Sequence, residues 1–494
     1  MVFSSLTFLF YFLPITLILY FLARSRSQKN LVLLIASIFF YAWGEPFYVF
    51  LIILSTVNDY VFSNLVQKSR DRRMACSIRS EGISEKDLKK EVSLLSESDK
   101  AAWRLEKTWF ILSLIINLGL LGIFKYTDFM IANINSLFNC NLSMTNLPLP
   151  IGISFYTFQT MSYSIDVYTG KVRAQKNFLT LATYVALFPQ LIAGPIVRYQ
   201  TIEQELEKRN SSLIGVADGL RRFIIGLAKK VLIANQMGLI TDTILIPGAI
   251  PDNTAVLWLA MLAYTFQIYF DFSGYSDMAI GLGRVFGFHF LENFNYPYTA
   301  VSITDFWRKW HISLGTWFRD YVYIPLGGNK KNQYRNIAIV WGLTGLWHGA
   351  SWNYVLWGMY YGILLIGEKL LKNKGNLPRV IRRGSTFLAV VIGWTIFRLE
   401  DMTDLKKAFY GLTHYQPISL QDFLIEYDKI LFALPMLVVA VFAAMPWAER
   451  LKKWKWAQKT GGQVLYDIYL MMLLALIIQS LVGSGFNPFI YFRF

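Results

Sequence analysis

Cysteine and histidine are scarce in this chain, two and four residues among 494, and charged residues make up only 16% of it. Cys76 and Cys140 are too few for a disulfide framework, and their separation matches no metal-ligand spacing, so no metal is implied. An ordinary soluble domain carries about 25% charged residues. Set against a hydrophobic content of 54%, the low charge points to lipid as the main solvent. No charge precedes Arg24. As a helix rising about 1.5 Å per residue, that stretch would reach about 35 Å, enough to cross a hydrocarbon layer about 30 Å thick. Basic residues follow the stretch, whereas a secretory signal has them in front and small residues at a cleavage site, so it reads as a retained first helix. There is no internal repeat and no low-complexity segment, which weakens a transporter reading, because many transporters are built from two related halves.

What the chain does have is a formal net charge of +16. The basic residues fall in short clusters at 24–29, 171–176, 221–230, 330–335, 369–383 and 450–459, between apolar runs rather than on one face of a soluble module. That pattern excludes nucleic acid as the expected partner and suits anionic membrane lipid. By the positive-inside rule most clusters face the cytoplasm, and with 24–29 inside, the N-terminus lies outside. About a dozen apolar segments are candidate spans: 2–22, 31–43, 47–66, 109–124, 178–192, 223–246, 256–270, 337–347, 354–366, 387–397, 431–447 and 464–482. Several are too short to cross alone. Edged by glycine and proline, they read as broken or re-entrant helices, which lipid tolerates only where protein or water covers the irregular backbone. The expected fold is a single all-α polytopic membrane domain over 1–494, its helices surrounding a funnel floored by 304–352. A long polar insert, 67–108, interrupts it. Ser84 and Asp87 there form a capping-box signature ahead of Leu88, Val92 and Leu95 at helical spacing, consistent with an amphipathic cytoplasmic helix or a solvated linker.

Two of the four histidines lie in the densest stretches of aromatic, glycine and polar residues: His311 in FWRKWHISLG (306–315) and His348 in GLWHGASWN (345–353). An imidazole shielded from water stays neutral near pH 7 and can accept a proton from a hydroxyl, which is what a general base in acyl transfer needs. Gly345 and Gly349 also form a G-x-x-x-G pair that lets helices pack closely, and a buried histidine often simply bonds a neighbouring helix. Periodicity alone leaves both readings open for His348 and favours packing for His311. His289 and His414 sit beside no comparable cluster.

The run FWRKWHISLGTWFRDYVYIPLGG (306–328) with LWHGASWN (346–353) resembles the membrane-bound O-acyltransferase family, in particular its alginate, peptidoglycan and cell-wall acetylation branch. FPQLIAGP (188–195), YFDFSGYSD (269–277) and NFNYP (293–297) are similar to that branch too, and the likeness runs along essentially the whole chain. The resemblance implies O-acylation of an extracytoplasmic polysaccharide or cell-wall polymer from a cytoplasmic thioester, acetyl-CoA, by a multi-pass protein of the bacterial cytoplasmic membrane. It places His348 at the catalytic position and His311 at the second polar position of a tunnel through the membrane. Arg308, Lys309 and Arg319 flank His311 and are candidates for meeting the donor's phosphates, although each is also placed to snorkel to lipid headgroups. The terminal FIYFRF (489–494) is similar to the F-x-Y-x-x-F ending of envelope acyltransferases or their small companions, where the tyrosine carries the acyl group. Tyr491 is then the carrier. A phenol of pKa about 10 needs a base to attack, and its ester is activated, so the acyl group can pass to a serine-hydrolase-like transferase outside the cell. Without the resemblance Tyr491 would read as an interfacial aromatic anchor. GSGFNP (483–488) is a turn-prone link through which the tail can fold back. Transfer of D-alanine to teichoic acid, a transporter or flippase, and a scaffold that recruits a transferase are the competing functions.

The topology is directly testable. A membrane-impermeant thiol reagent applied to intact cells is expected to label Cys140 and spare Cys76; labelling of Cys76 alone inverts the orientation.

Overall fold

A backbone in hydrocarbon must satisfy its N–H and C=O groups internally, and a helix does so within one segment. The computed structural model, which describes residues 1–77, 97–371, 377–452, 454, 459–483 and 489–490, is built from helices, with no strand among the described residues. Six helices of the described chain are long and apolar enough to cross a membrane: Val49–Arg73, Lys100–Phe138, Leu213–Ile244, Thr254–Val285, Arg379–Arg398 and Thr460–Gly483. Their burial sorts them. In the most apolar stretch of Thr254–Val285, 72% of residues are buried inside the protein, against 17% in Lys100–Phe138 and 11% in Thr460–Gly483. The first is a central element, and the other two offer their apolar side chains outward to lipid. The expected all-α membrane fold is therefore present.

The chain divides into two compact units. The first comprises Met1, 13–192 and 196–210. Its helices Val49–Ser77 and Glu97–Phe138 run well past the apolar spans 47–66 and 109–124 into both ends of the polar insert. An ion pair of Arg70 with Glu106 at 2.7 Å, joined by Arg73 at 3.3 Å, ties those ends together. Arg70 also donates to the carbonyls of Val167 and Tyr168. The expected amphipathic helix at Ser84–Leu95 lies outside the described residues. Deep in the same unit, Asp59 is wholly buried, and its Oδ1 accepts from Ser113 and Ser164 hydroxyls at 2.8 Å and from Asn117 Nδ2 at 2.9 Å. The span 178–192 is a broken helix, Phe178–Ala186 and then Phe188–Leu191, with the break at Leu187 just ahead of Pro189. A proline cannot donate to the preceding turn, so the chain restarts there with Pro189 near the new N-terminus.

The second unit comprises 2–12, 193–195 and 211–494. Its organising contact joins the helices Leu213–Ala228 and Thr254–Val285, whose backbones touch at paired glycines. A Cβ on Gly226 would stand 2.6 Å from the Gly274 carbonyl oxygen, and one on Gly219 would stand 2.5 Å from that of Gly281. Both pairs are spaced seven residues apart, two turns, so they lie on one face of each helix. Immediately beyond Gly226 the first helix widens into a π-helical segment, Lys229–Ala234, before resuming as Asn235–Ile244. Single π turns inside α-helices recur at functional sites. The short segments 337–347 and 354–366 are the middles of longer helices, Gln333–His348 and Trp352–Leu371. A close aromatic cluster of Trp307, Trp310, Trp357, Tyr361 and Trp394 packs beside them.

Because backbone faces backbone at Gly226, no rotamer change can relieve an added methyl group. Gly226→Ala is expected to cost about 1–3 kcal/mol by overpacking. The outcome is read as a lowered thermal midpoint of the detergent-solubilised protein beside Gly119→Ala, whose Cβ would meet nothing within 4 Å.

Candidate active site

Both histidines singled out in the sequence are buried in the second unit, His311 at 2% and His348 at 5% exposure. The short helix Ile303–Lys309 delivers the first. Its N-terminus is pinned by Glu368, whose carboxylate accepts from the Ile303 and Thr304 N–H groups and, at 2.7 Å, from the Thr304 hydroxyl. A carboxylate at that end is favoured by the helix dipole as well as by the hydrogen bonds. The helix stops at Trp310, and His311 turns the chain with φ 45°, a left-handed conformation that non-glycine residues rarely adopt, before Ile312–Phe318 begins.

What holds that turn is Asn293. Its backbone carbonyl accepts from the Ile312 N–H at 2.9 Å. Its side-chain oxygen receives the Ser313 N–H at 3.2 Å and the Ser313 hydroxyl at 2.9 Å, and lies 3.1 Å from His311 Nδ1. The Asn293 amide nitrogen donates to Ser276 at 3.0 Å, which fixes the orientation of the group. An amide oxygen can only accept, so Nδ1 carries the imidazole proton and Nε2 bears the basic lone pair. Phe272, from the central helix Thr254–Val285, sets its ring against His311 edge to face, with centroids 4.7 Å apart.

His348 is the last residue of the helix Gln333–His348, and the chain becomes extended at Gly349. The entry to that helix is organised by Asn336, whose amide nitrogen donates to the carbonyls of Leu326, Gly328 and Lys331. Three rings surround the imidazole edge to face: Trp347 and Trp357 at 4.9 Å and Phe397 at 5.2 Å. Asn353 donates to the Phe397 carbonyl at 3.0 Å and so ties the following helix to this wall. The close packing read from Gly345 is real, since a Cβ there would lie 2.4 Å from the Tyr354 carbonyl oxygen. Gly349 instead leaves room for the Tyr354 ring, 2.2 Å from its notional Cβ. Packing and chemistry are thus not alternatives at this position: the glycines let the next helix close over His348. The two histidines share a neighbour, for the Trp347 indole lies 5.9 Å from the His311 ring and 4.9 Å from that of His348.

The three flanking cations are placed differently. Lys309 pairs with Asp305 at 3.0 Å and Arg319 with its neighbour Asp320 at 2.6 Å, while Arg308 is exposed. Hydrogen bonding to Asp320 holds the Arg319 guanidinium still more firmly protonated. Tyr491 lies outside the described residues, but the two residues before it do not. Phe489 and Ile490 are buried in the second unit, and Phe489 meets the Tyr275 ring at 4.8 Å. The Ile490 N–H donates to Asp271 at 2.6 Å, and Asp271 is ion-paired with Lys230 at 2.5 Å. Asn293, Lys230 and Asp271 were given no role by the sequence reading. The available signal was an ionisable residue in an apolar span, which in lipid is costly enough to ask for a partner. Among the described residues no group of three or more histidine, cysteine or acidic side chains is placed to hold a metal.

A multi-pass helical protein with two buried imidazoles set among aromatic rings is compatible with group transfer inside a membrane. The comparisons make the class specific. A sequence model of the membrane-bound O-acyltransferase family matches residues 171–395, which include both histidines. A probable alginate O-acetylase of Pseudomonas putida is 37% identical over 100% of both chains. A peptidoglycan O-acetyltransferase of Helicobacter pylori is 30% identical over 100% of this chain and 98% of its own. A teichoic acid D-alanyltransferase of Bacillus subtilis is 31% identical, but over 50% of this chain and 66% of its own. The chain belongs to the membrane-bound O-acyltransferase family. It is an O-acyltransferase that uses an acyl donor, which displaces the transporter and scaffold readings.

If Asn293 sets the tautomer and aim of His311, Asn293→Ala is expected to lower acylation by about ten- to a hundred-fold, the scale of a misplaced reacting group. Acylated product per membrane-inserted protein measures it; an unchanged yield removes Asn293 from the site.

Proposed function

We propose that this chain moves an acetyl group from cytoplasmic acetyl-CoA across the bacterial cytoplasmic membrane for O-acylation of an extracytoplasmic polysaccharide or cell-wall polymer. The observation that carries the reading is the pair of buried histidines on one indole, within a chain matched end to end by alginate and peptidoglycan O-acetylating relatives. The D-alanyltransferase relative aligns with only half of the chain, which favours acetyl over D-alanyl. The N-terminus lies outside, and the basic clusters lie toward the cytoplasm.

His348 acts as general base and takes the proton of the Tyr491 hydroxyl. The phenolate oxygen attacks the thioester carbonyl carbon, the carbon–sulfur bond breaks, and the thiolate leaves and recovers a proton. His311, with Nδ1–H directed at Asn293, offers Nε2 to orient or polarise the reacting groups. Arg308, Lys309 and Arg319 meet the donor's phosphates. The acetyl-tyrosine then hands its cargo to a serine-hydrolase-like transferase on the outer side, because a phenolate leaves far more readily than an alkoxide.

Positioned proton transfer is worth about 10²- to 10⁴-fold, or about 3–5 kcal/mol of barrier. His348→Ala is therefore expected to insert normally in membranes and to lose polymer acylation. Tyr491→Phe keeps the ring's apolar surface and is expected to lose it too. Mass spectrometry of the C-terminal peptide, from enzyme given donor and no acceptor, should find an acyl adduct on Tyr491 that vanishes in His348→Ala. An unmodified peptide, with Tyr491→Phe still acylating polymer in cells, rejects the carrier.

A further inference from the structure

Asp271 and Lys230 stand out among the ionisable side chains of the second unit. Each side chain is 3% exposed, and they face each other at 2.5 Å. Lys230 comes from the π-helical segment Lys229–Ala234 and Asp271 from the middle of Thr254–Val285, two elements held together by the glycine contact at Gly226 and Gly274. An ion pair withdrawn from water is costly to bury, and packed apolar residues of the same size often serve stability as well or better. Its use is better sought in what it binds. One Asp271 oxygen faces Lys230, and the other accepts the backbone N–H of Ile490 at 2.6 Å. The Lys230 ammonium also lies over the Phe489 ring, 4.7 Å from its centroid, an arrangement that attracts a cation to the ring face. Tyr275, one turn along from Asp271, closes on the same ring edge to face. Two consecutive residues near the end of the chain are thus gripped by a backbone hydrogen bond, a cation over a ring and an aromatic edge.

We propose that the Lys230–Asp271 pair is a socket for the C-terminal segment, and that both side chains are positioning residues for the acyl carrier. The second half of this proposal rests on the reading of Tyr491 as that carrier. Recognition of a main-chain N–H makes the socket depend on backbone register rather than on the identity of residue 490. Consecutive Cα atoms are about 3.8 Å apart, so a dock at Ile490 fixes where the last four residues begin. The dock is also joined to the site through the backbone: Phe272, the residue after Asp271, sets its ring edge to face against His311.

Hydrogen–deuterium exchange on the full-length protein in detergent tests the socket itself. In Asp271→Ala and in Lys230→Met, the Ile490 amide should exchange at least ten-fold faster while the amides of Thr254–Val285 keep their protection. Unchanged exchange at Ile490 overturns the socket. Since removing one member of a buried ion pair can prevent folding, Ile490→Pro supplies a second route: it deletes the donated N–H and leaves the pair intact. Acyl-tyrosine and acylated polymer should both fall at least ten-fold in that variant, toward the level of Tyr491→Phe. Wild-type acylation by Ile490→Pro, beside an inactive Tyr491→Phe, overturns the positioning role. A fully active Tyr491→Phe whose Ile490 amide still depends on Asp271 rejects the carrier reading and upholds the socket.

Discussion

The backbone contact of Leu213–Ala228 with Thr254–Val285 governs much of the second unit, because Thr254–Val285 is the element from which the site is hung. Along two of its turns it presents Asp271 to Lys230 and Ile490, Phe272 to His311, Ser276 to Asn293, and Asp277 to Arg222 and Lys229. The ion pairs of Asp271 with Lys230 and of Asp277 with Arg222 and Lys229 cross between the two segments that the glycines at 219, 226, 274 and 281 bring together. Without a hydrophobic drive between helices in lipid, close approach through small residues is the main way to gain packing energy.

Much of the architecture was legible in the sequence because lipid imposes one rule on every span. Apolar length marked the long helices, and among the spans bearing proline 178–192 is broken, at Leu187 just ahead of Pro189. Boundaries were read too short wherever polar residues continue a helix beyond the hydrocarbon, as in Val49–Ser77 and Glu97–Phe138. Periodicity carries no information about where an apolar helix ends in a polar medium. At the site, both histidines that the motifs singled out are buried in one unit. The left-handed turn at His311 did not announce itself, since its stabilisation comes from Asn293, eighteen residues away in sequence. Asp271 lay in a motif already singled out, yet its partner, Lys230, belongs to a basic cluster that charge counting assigns to the membrane surface. Only the fold reveals that this member of the cluster turns inward.

The buried polar groups of the two units solve the same problem in different ways. Asp59 gathers neutral serine and asparagine donors on one of its carboxylate oxygens, Oδ1. Asp271 is matched by a cation and by a main-chain N–H. Neutral donors on rigid helices make a permanent joint. A carboxylate that receives a hydrogen bond from the end of the chain makes a joint whose partner is attached by a single strand of backbone.

That difference bears on how acyl transfer can be confined. Three rings set edge to face around His348 shield its imidazole from water, as the proposed general base requires. In the proposed mechanism the nucleophile belongs to the enzyme's own chain, which makes its arrival intramolecular, and a well-oriented intramolecular group reacts at effective concentrations far above those of a free one. The gain is realised only if the tail enters in one register. A hydrogen bond to a backbone N–H sets register more strictly than an apolar contact, which can slide. Under the proposed carrier role, the ion pair at Lys230 and Asp271 has a physical reason to persist in lipid despite its desolvation cost: it fixes the register of the residue that precedes the nucleophile.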